Sequence, residues 1–256
     1  MTPATAQVAA ENLAERIREA RRVVVFTGAG ISTDSGIDDF RSPGGIWSKI
    51  KPIEFSQFQT DEEARREDWR RRFHFQASFD AAQPNAGHLG IATLLARDNG
   101  GVLITQNIDG LHQRAGVPDE QMIEIHGNGT RASCLECSSP MSLAEARAYI
   151  EREDQAPRCR RCDGLVKADI ISFGQPMPSQ KLASAEQHAL DCDVMLVAGS
   201  SLVVQPAATL PLIAKNNGAY LAIINRDATP LDGMANLRFG GSISDTIRLT
   251  CEYLQT

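Results

Sequence analysis

Two pairs of cysteines give this sequence its clearest chemical signal. Cys134 and Cys137 form one Cys-x-x-Cys pair, Cys159 and Cys162 form another, and 21 residues separate the two pairs. Four thiolates at this spacing suit a closed tetrahedral zinc site, in which no coordination position remains for water. The alternative is two redox-active dithiols, but neither pair follows a predicted strand and opens a predicted helix, as redox motifs do. The spacing therefore predicts a structural zinc ion.

A second signal is a turn that lets a ligand approach the backbone closely. Residues 23–26 (Val-Val-Val-Phe) predict a buried parallel strand, and Gly28 and Gly30 follow it. Ser32 is expected to cap a helix that begins just after it, so that unpaired N–H groups would face an anion. Thr33 stands where the Rossmann dinucleotide pattern has its third glycine, so these residues alone also fit a tight turn without a ligand.

Polar side chains follow four further apolar stretches, each of which is predicted to be a strand. The stretches are 102–104, 122–125, 194–198 and 221–224. The first leads into Gln106, Asn107 and Asp109, and the second leads into His126. The third leads into Gly199, Ser200 and Ser201, and the fourth into Asn225 and Arg226. Because parallel strands end at a common edge of the sheet, these side chains are expected to line one nucleotide-sized crevice.

His126 has the side chain best suited to move a proton near neutral pH. An unperturbed imidazole has a pKa of about 6.5 and can therefore act as a general base there. The alternative for a single histidine at a strand end is a hydrogen-bonded structural role.

The remaining segments predict helices that connect and flank these strands. Helical patterns cover 8–20, 84–99 and 179–190, residues 170–174 look like a further strand, and a short helix follows residue 243. Strands that alternate with helices indicate a doubly wound α/β sheet. Residues 61–72 predict a small helical module, whose arginines alternate with acids and are expected to lie on a solvated face.

Composition places the chain among ordinary globular proteins. It has 256 residues, of which 42% are hydrophobic and 23% charged, and a net charge of -6. The negative charge argues against nucleic-acid binding, and no run of 18 apolar residues predicts a membrane span. No secretory signal is evident, so a cytoplasmic protein is expected, while the oligomeric state is left open.

Taken in order, these motifs resemble the sirtuins, the NAD-dependent protein lysine deacylases. The matching residues are Gly28-Ala29-Gly30-Ile31-Ser32, Gly36-Ile37, Asp39-Phe40-Arg41, Thr105-Gln106-Asn107-Ile108-Asp109, His126-Gly127, both cysteine pairs, Phe173-Gly174, Gly199-Ser200-Ser201-Leu202 and Asn225. The resemblance implies a Rossmann-type NAD-binding domain (residues 1–41, 76–128 and 168–256). It also implies a smaller domain made of a helical module (42–75) and a zinc-binding module (129–167).

The resemblance also assigns roles to individual residues. His126 would be the general base, and Asn107 a second catalytic residue. NAD, a consumed co-substrate, would contact Gly28, Ala29, Gly30, Ser32, Asp39, Phe40, Arg41, Gln106, Asn107, Ile108, Asp109, Gly199, Ser200, Ser201, Asn225, Arg226, Ser242 and Ile243. An acyl-lysine peptide would bind as an added strand against Ile171, Phe173, Gly174, Leu202 and Val203. Zinc would be held by Cys134, Cys137, Cys159 and Cys162 and would take no part in catalysis.

Three features depart from the family pattern. Asp38 replaces the usual proline before Asp-Phe-Arg, and Gln175 stands where an acid is common. The Tyr and Arg pair of members that prefer succinyl- or malonyl-lysine is not evident in residues 69–75. Neutral acyl groups are therefore favoured, although Arg70 to Arg72 leave an acidic acyl group open.

Two other functions are compatible with the same fold. One is a mono-ADP-ribosyltransferase or NAD hydrolase, and the other is a non-catalytic NAD sensor. His126 and the complete Gln-Asn-Ile-Asp motif favour deacylation.

Overall fold

In a computed structural model, the structure describes residues 5–39, 45, 50–97 and 101–255. The helices are α1 (Ala6–Glu19), α2 (Phe55–Thr60), α3 (Glu62–Ala81), α4 (Ala86–Leu95), α5 (Leu111–Arg114), α6 (Leu143–Glu153), α7 (Ser179–Asp191), α8 (Leu210–Asn216) and α9 (Ile243–Gln255). The strands are β1 (Val23–Thr27), β2 (Val102–Thr105), β3 (Met122–Glu124), β4 (Gly127–Cys134), β5 (Pro140–Met141), β6 (Val166–Ile170), β7 (Val194–Ala198), β8 (Tyr220–Ile224) and β9 (Leu237–Phe239).

Strand β1 lies in the middle of a six-stranded parallel sheet. The strand order is β3-β2-β1-β7-β8-β9, and every paired neighbour runs in the same direction. All five residues of β1 are buried, as are all five of β7, because helices cover both faces of the sheet. The predicted doubly wound sheet is therefore confirmed.

The two faces of the sheet bury different residues of the same strand. Val23 and Val25 pack with Leu13 of α1 and Ile247 of α9 on one face. On the other face, Val24 and Phe26 pack against helices α7 and α8, through residues such as Ala185 and Leu210. The alternation follows from the period of two in a strand, and it fixes the register that brings the strand ends to one edge.

A second, three-stranded sheet belongs to the segment that contains the cysteine pairs. Its order is β5-β4-β6, and both pairings are antiparallel. A separate apolar cluster, which includes Trp69 of α3, Ala146 of α6 and Val166 of β6, packs against it. Helix α3 continues to Ala81, so the expected module boundary at residue 75 falls inside a helix.

Several local predictions are wrong. Residues 171–174 are not a strand, because β6 ends at Ile170 and Phe173 and Gly174 form a turn. No α-helix begins between Ser32 and Asp39. Instead, two short 3-10 turns follow β1, Ala29–Ile31 before Ser32 and Thr33–Ser35 after it. The final helix is 13 residues long rather than short, and strand β9 was not predicted.

The arginines of helix α3 are not all on a solvated face. Arg65 and Arg72 are only 7% and 6% exposed, whereas Arg70 projects into solvent. Arg65 is satisfied by the carbonyl oxygens of Phe58 and Gln59 and by the Glu62 carboxylate.

None of the helices in the described part of the chain combines the length and apolar character that a membrane crossing requires.

Candidate active site

The polar strand ends meet at the carboxyl edge of the large sheet, where they line a cavity of about 440 Å³. The predicted residues in its wall are Gly28, Ala29, Gly30, Asp39, Gln106, Asn107, His126, Gly199, Ser200, Ser201, Asn225, Arg226 and Ile243. A second cavity of about 550 Å³ adjoins it and shares Ala29, Gln106, Asn107 and His126 with it. The edge of the sheet therefore holds two connected binding spaces.

The second cavity contains most of the other predicted residues. Ser32, Ile108, Asp109, Ile171, Phe173 and Gly174 line it. Val204 lines both cavities and was not among the predicted residues. The Leu202 side chain is buried in the core behind the sheet, and Val203 is half exposed without lining either cavity.

One predicted NAD contact lies outside both cavity walls, and two others lie outside the described residues. Ser242 lines neither cavity, and its hydroxyl accepts a hydrogen bond from the N–H of Asp245 in the first turn of α9. Phe40 and Arg41 lie outside the described residues.

The glycines after β1 allow this turn to pack directly against the turn after β7. The Gly30 N–H donates to the Gly199 carbonyl at 2.9 Å. A Cβ on Gly28 would lie 2.8 Å from the Gly199 carbonyl oxygen. A Cβ on Gly199, whose φ is +70°, would lie 2.3 Å from the backbone nitrogen of Ile31. Only glycine fits these positions, because the contacts are between two backbones.

A buried hydrogen-bond network fixes the side chains of the Asn-Ile-Asp motif. The Ser32 hydroxyl donates to Asp109 Oδ2 at 2.7 Å and accepts from Asn107 Nδ2 at 3.1 Å. Ser32 is fully buried, and its side chain makes no cap bond, so its expected helix-capping role is wrong. It instead links two residues of the neighbouring strand end.

The tautomer of His88 completes this network. His88 Nδ1 lies 3.3 Å from the Asn85 N–H, which can only donate, so the ring proton is on Nε2. Nε2 lies 3.4 Å from Ser32 Oγ and faces it as a donor. Burial lowers the pKa of His88 to about 4, which keeps the ring neutral at physiological pH. Ser32 therefore receives two hydrogen bonds and directs its own proton to Asp109.

Asp109 is an anchored acceptor at the bottom of the second cavity. Its Oδ1 accepts from the Leu111 N–H at 2.9 Å, in addition to the bond from Ser32. Burial raises the pKa of Asp109, and these two hydrogen bonds oppose that shift. A fixed carboxylate beside the Asn107 amide complements a carboxamide, which presents both a donor and an acceptor.

His126 lies where the two cavities meet. Its Nδ1 is 3.2 Å from the backbone carbonyl oxygen of Gln106, which can only accept, so Nδ1 carries the proton. In the neutral ring, Nε2 then holds the lone pair, which is the atom that a general base uses. The Gln106 amide donates to Ser200 Oγ at 2.7 Å and thereby joins the ends of β2 and β7.

The four cysteine sulfurs form a separate cluster in the second sheet. All four Sγ atoms lie within 4.8 Å of one another, and none is in a disulfide. The Cys134–Cys162 and Cys137–Cys159 separations are 3.5 and 3.6 Å. A tetrahedral zinc ion with Zn–S bonds of about 2.3 Å requires sulfurs about 3.8 Å apart, so the cluster fits zinc.

Comparisons with known proteins agree with this geometry. The model of the Sir2 family matches residues 28–206. An NAD-dependent protein deacetylase of Rhodopseudomonas palustris is 46% identical over 237 residues, which cover 93% of this chain and 94% of that protein. An NAD-dependent protein deacylase 2 of Pyrobaculum aerophilum is 39% identical over 239 residues, or 92% of each chain.

Solved Sir2 structures also match this chain over nearly its whole length. A Sir2 structure with a deacetylated p53 peptide and 3'-O-acetyl ADP ribose has a TM-score of 0.86 and 35% identity, and covers 94% of this chain and 97% of the other. A Sir2 structure bound to a propionylated peptide has a TM-score of 0.82 and 33% identity, with coverage of 94% and 97%. The chain belongs to the Sir2 family.

Proposed function

We propose that this protein is an NAD-dependent protein lysine deacylase in which His126 is the general base. The observation that carries the proposal is the position of His126 between two cavities, with its proton held on Nδ1 by the Gln106 carbonyl. NAD-dependent deacetylases and deacylases among the relatives support the same reaction.

The reaction consumes NAD as a substrate. Acyl-lysine, NAD and water become free lysine, nicotinamide and O-acyl-ADP-ribose. The acyl carbonyl oxygen displaces nicotinamide from the ribose, and the acyl group then passes to a ribose hydroxyl. The departure of nicotinamide drives the attack by the amide oxygen, which is a weak nucleophile.

The residues of this chain supply binding, orientation and proton transfer. The Asn107 amide and the Asp109 carboxylate would hold the nicotinamide carboxamide. Nε2 of His126 would accept the proton of the ribose hydroxyl as that oxygen attacks the acyl carbon. The low pKa of His88 preserves the donor and acceptor directions around Asp109 at neutral pH.

The first cavity is the proposed site for the ADP-ribose part of NAD. The turn at Gly28–Gly30 and the end of β7 would approach the pyrophosphate, and Asn225, Arg226 and Ile243 would lie along the adenosine. Ser32 and Ile108 would contribute on the nicotinamide side. The proposed NAD contacts also include Asp39, Phe40, Arg41, Ser242 and the remaining residues that the resemblance predicts.

The peptide is proposed to bind along the segment that leaves β6. Ile171 is held by a hydrogen bond from its N–H to the His126 carbonyl at 2.9 Å, and Phe173 is 40% exposed. An extended peptide beside Phe173 and Gly174 would place its acyl-lysine in the second cavity. Leu202 and Val203 would act through their backbone rather than their side chains.

Two further proposals concern organisation and location. The large sheet would form the NAD-binding domain, and the helical and zinc-binding modules the smaller one. Thiol ligands must stay reduced to bind zinc, and the four clustered cysteines are free thiols, which supports a cytoplasmic location.

The decisive experiment measures nicotinamide release by the wild type and by His126→Ala, with mass spectrometry of the products. Reactions contain NAD alone, NAD with an acetyl-lysine peptide, or NAD with the unacylated peptide. His74→Ala, which removes an exposed histidine of helix α3, is the control. We expect O-acetyl-ADP-ribose to form only with the acetylated peptide, and its formation to collapse only in His126→Ala.

Other outcomes would contradict the proposal in distinct ways. Nicotinamide release without an acylated peptide, or ADP-ribose left on protein, would point to a hydrolase or an ADP-ribosyltransferase. No release under any condition would point to a non-catalytic NAD-binding protein.

A further inference from the structure

A buried histidine of helix α5 holds together the two ends of the loop that carries the Gln-Asn-Ile-Asp motif. His112 is 2% exposed, and its Nε2 lies 3.0 Å from the hydroxyl oxygen of Thr27, the last residue of β1. Thr27 is fully buried, and its hydroxyl donates to Thr105 Oγ1 at 2.9 Å. Thr105 ends β2 immediately before the motif, and His112 follows the motif by three residues. The Thr27 hydroxyl therefore joins the entry of the loop to its exit.

The directions of these hydrogen bonds fix the tautomer of His112. Because the Thr27 hydroxyl donates its only proton to Thr105, it can only accept from His112, so the ring proton is on Nε2. Nδ1 is buried and makes no hydrogen bond within the described part of the chain. Burial lowers the pKa of His112 well below its usual range, so the ring stays neutral and keeps this single donor. The one hydrogen bond of the imidazole is thus directed at Thr27.

The series of hydrogen bonds continues from Thr105 to the proposed nicotinamide site. Thr105 Oγ1 also accepts from the backbone N–H of Asn107 at 3.1 Å. The loop then turns back at Gly110, whose φ is +73°, and this reversal returns His112 to the end of β1. The backbone position of Asn107 thus depends on a histidine that lines neither cavity.

A second series of hydrogen bonds reaches the same loop from His88. The rings of His88 and His112 are in contact, with centroids 4.8 Å apart. His88 acts on the loop through Ser32, which bonds to the side chains of Asn107 and Asp109. The first series fixes the backbone of the loop and the second fixes its side chains, so the role of His112 is distinct from that of His88.

We propose that His112 is a positioning residue for the nicotinamide part of NAD and acts through Thr27 and Thr105. The inference rests on the proposed function, in which Asn107 and Asp109 hold the carboxamide. A carboxamide needs a donor and an acceptor at a fixed separation, so a shift of the loop backbone would misalign both hydrogen bonds at once. The acylated peptide and the ADP-ribose part of NAD are proposed to contact other parts of the two cavities.

The test separates the binding of nicotinamide from the binding of the rest of NAD. The KM values for NAD and for the acetyl-lysine peptide, and the inhibition constant of free nicotinamide, are measured with the wild type, His112→Leu, His112→Gln and Thr27→Val. Calorimetry measures the affinities for NAD and for ADP-ribose, which lacks the nicotinamide. His74→Leu, the same substitution at an exposed histidine of helix α3, is the control.

We expect His112→Leu to raise the KM for NAD and the inhibition constant of nicotinamide by about 3- to 10-fold, the effect of losing one neutral hydrogen bond. Its KM for the peptide and its affinity for ADP-ribose should stay at the wild-type values. His112→Gln, whose amide can still donate to Thr27, should recover most of the loss. Thr27→Val keeps the shape of the side chain without the hydroxyl and should match His112→Leu, so it supplies the same test if leucine at position 112 prevents folding.

A double variant with His112→Leu and Thr27→Val should lose no more than either single variant, because both changes interrupt the same series of hydrogen bonds. Losses that add in full, or an equal loss of ADP-ribose affinity, would indicate a general structural role and overturn the inference. An unchanged KM for NAD in His112→Leu would also overturn it. If the wild type turns over no acylated peptide, the deacylase proposal fails, whereas the calorimetric comparison of NAD with ADP-ribose still decides the role of His112.

Discussion

At the scale of single residues, the site depends on hydrogen-bond directions more than on residue types. The types could be predicted, because Gln106, Asn107, Asp109 and His126 all follow apolar strands. The role of Ser32 could not, since capping preference is a local property and Asp109 is 77 residues away in the sequence. His88 appeared only as part of a helix, because nothing in the sequence shows which groups its ring would meet.

The sequence likewise does not show which arginines of helix α3 are buried. Arg65, Arg70 and Arg72 share one helix and similar neighbours, but their burial differs because other parts of the chain pack over only one side. Alternation with acids correctly indicates pairing for Arg70 and Arg71. It cannot indicate that Arg72 turns inward and is buried near the carboxylate of Asp68.

Two neutral histidines predict a loss of stability in mild acid. The rings of His88 and His112 are in contact at a centroid distance of 4.8 Å with an interplanar angle of 59°, and burial lowers the pKa of both. Between pH 6.5 and 4 these two histidines therefore bind more protons in the unfolded chain than in the folded one, so their contribution to stability is present above pH 6.5 and is lost as the pH falls. His88 alone should lower the free energy of unfolding by about 1 kcal/mol between pH 7 and 5.5.

Urea unfolding at pH 7 and pH 5.5 measures this loss of stability in the wild type, His88→Gln and His74→Gln. Asp109, whose pKa is raised, contributes with the opposite sign in every variant, so the difference between variants isolates His88. His88→Gln should show a pH effect smaller by about 1 kcal/mol, while His74→Gln should behave as the wild type. Equal pH effects in all three proteins would contradict the inference that burial lowers the pKa of His88.

At the scale of elements, long and strongly apolar segments were predictable and short ones were not. The predicted strand at 194–198 is confirmed without a shift, and helix α7 ends one residue beyond the predicted end. Strand β9 is only three residues long and lies at the sheet edge, so it carries little apolar signal. Residues 171–174 do not continue β6, because their apolar side chains line a cavity rather than a sheet face.

The contact between the two glycine turns gives a prediction at this scale. Gly199→Ala should lower the free energy of unfolding by more than about 2 kcal/mol, because it combines a left-handed φ with a backbone clash. It should also weaken NAD binding, since the turn after β1 would be pushed away from β7. Urea titration and calorimetric NAD titration measure the two effects.

Gly233→Ala provides the matched control for this substitution. No atom lies within 4 Å of a Cβ built at Gly233, so the free energy of unfolding of this variant should differ from that of the wild type by less than about 0.5 kcal/mol. Gly199→Ala with wild-type stability would show that the two turns separate easily.

At the scale of the whole molecule, the cysteine cluster and the proposed substrate segment are joined through one strand. Strand β6 pairs with β4 next to Cys134, and it leads directly to Ile171 and Phe173. The small sheet has its own modest core, whereas the large sheet is buried on both faces. Zinc should therefore control the peptide side of the cleft more than the NAD side.

Removal of zinc should raise the KM for the acylated peptide more than that for NAD. Atomic absorption should find one zinc per chain before chelation, and circular dichroism should show only partial loss of structure after it. Cys159→Ser should behave as the chelated protein, while Cys251→Ser, which changes a cysteine outside the cluster, should keep both zinc and activity. A metal-free protein with an unchanged peptide KM would contradict this coupling.

The position of β1 beside β7 has a consequence for synthesis. Val23 pairs with Val194, which leaves the ribosome 171 residues later. At about 5–20 residues per second, the first strand waits roughly 9–34 s for the neighbour that covers its second edge. The segment with the cysteine pairs is complete by then, so the nascent chain can acquire its metal before the central sheet closes. We expect the unpaired edge of this apolar strand to be prone to association with other chains until β7 emerges.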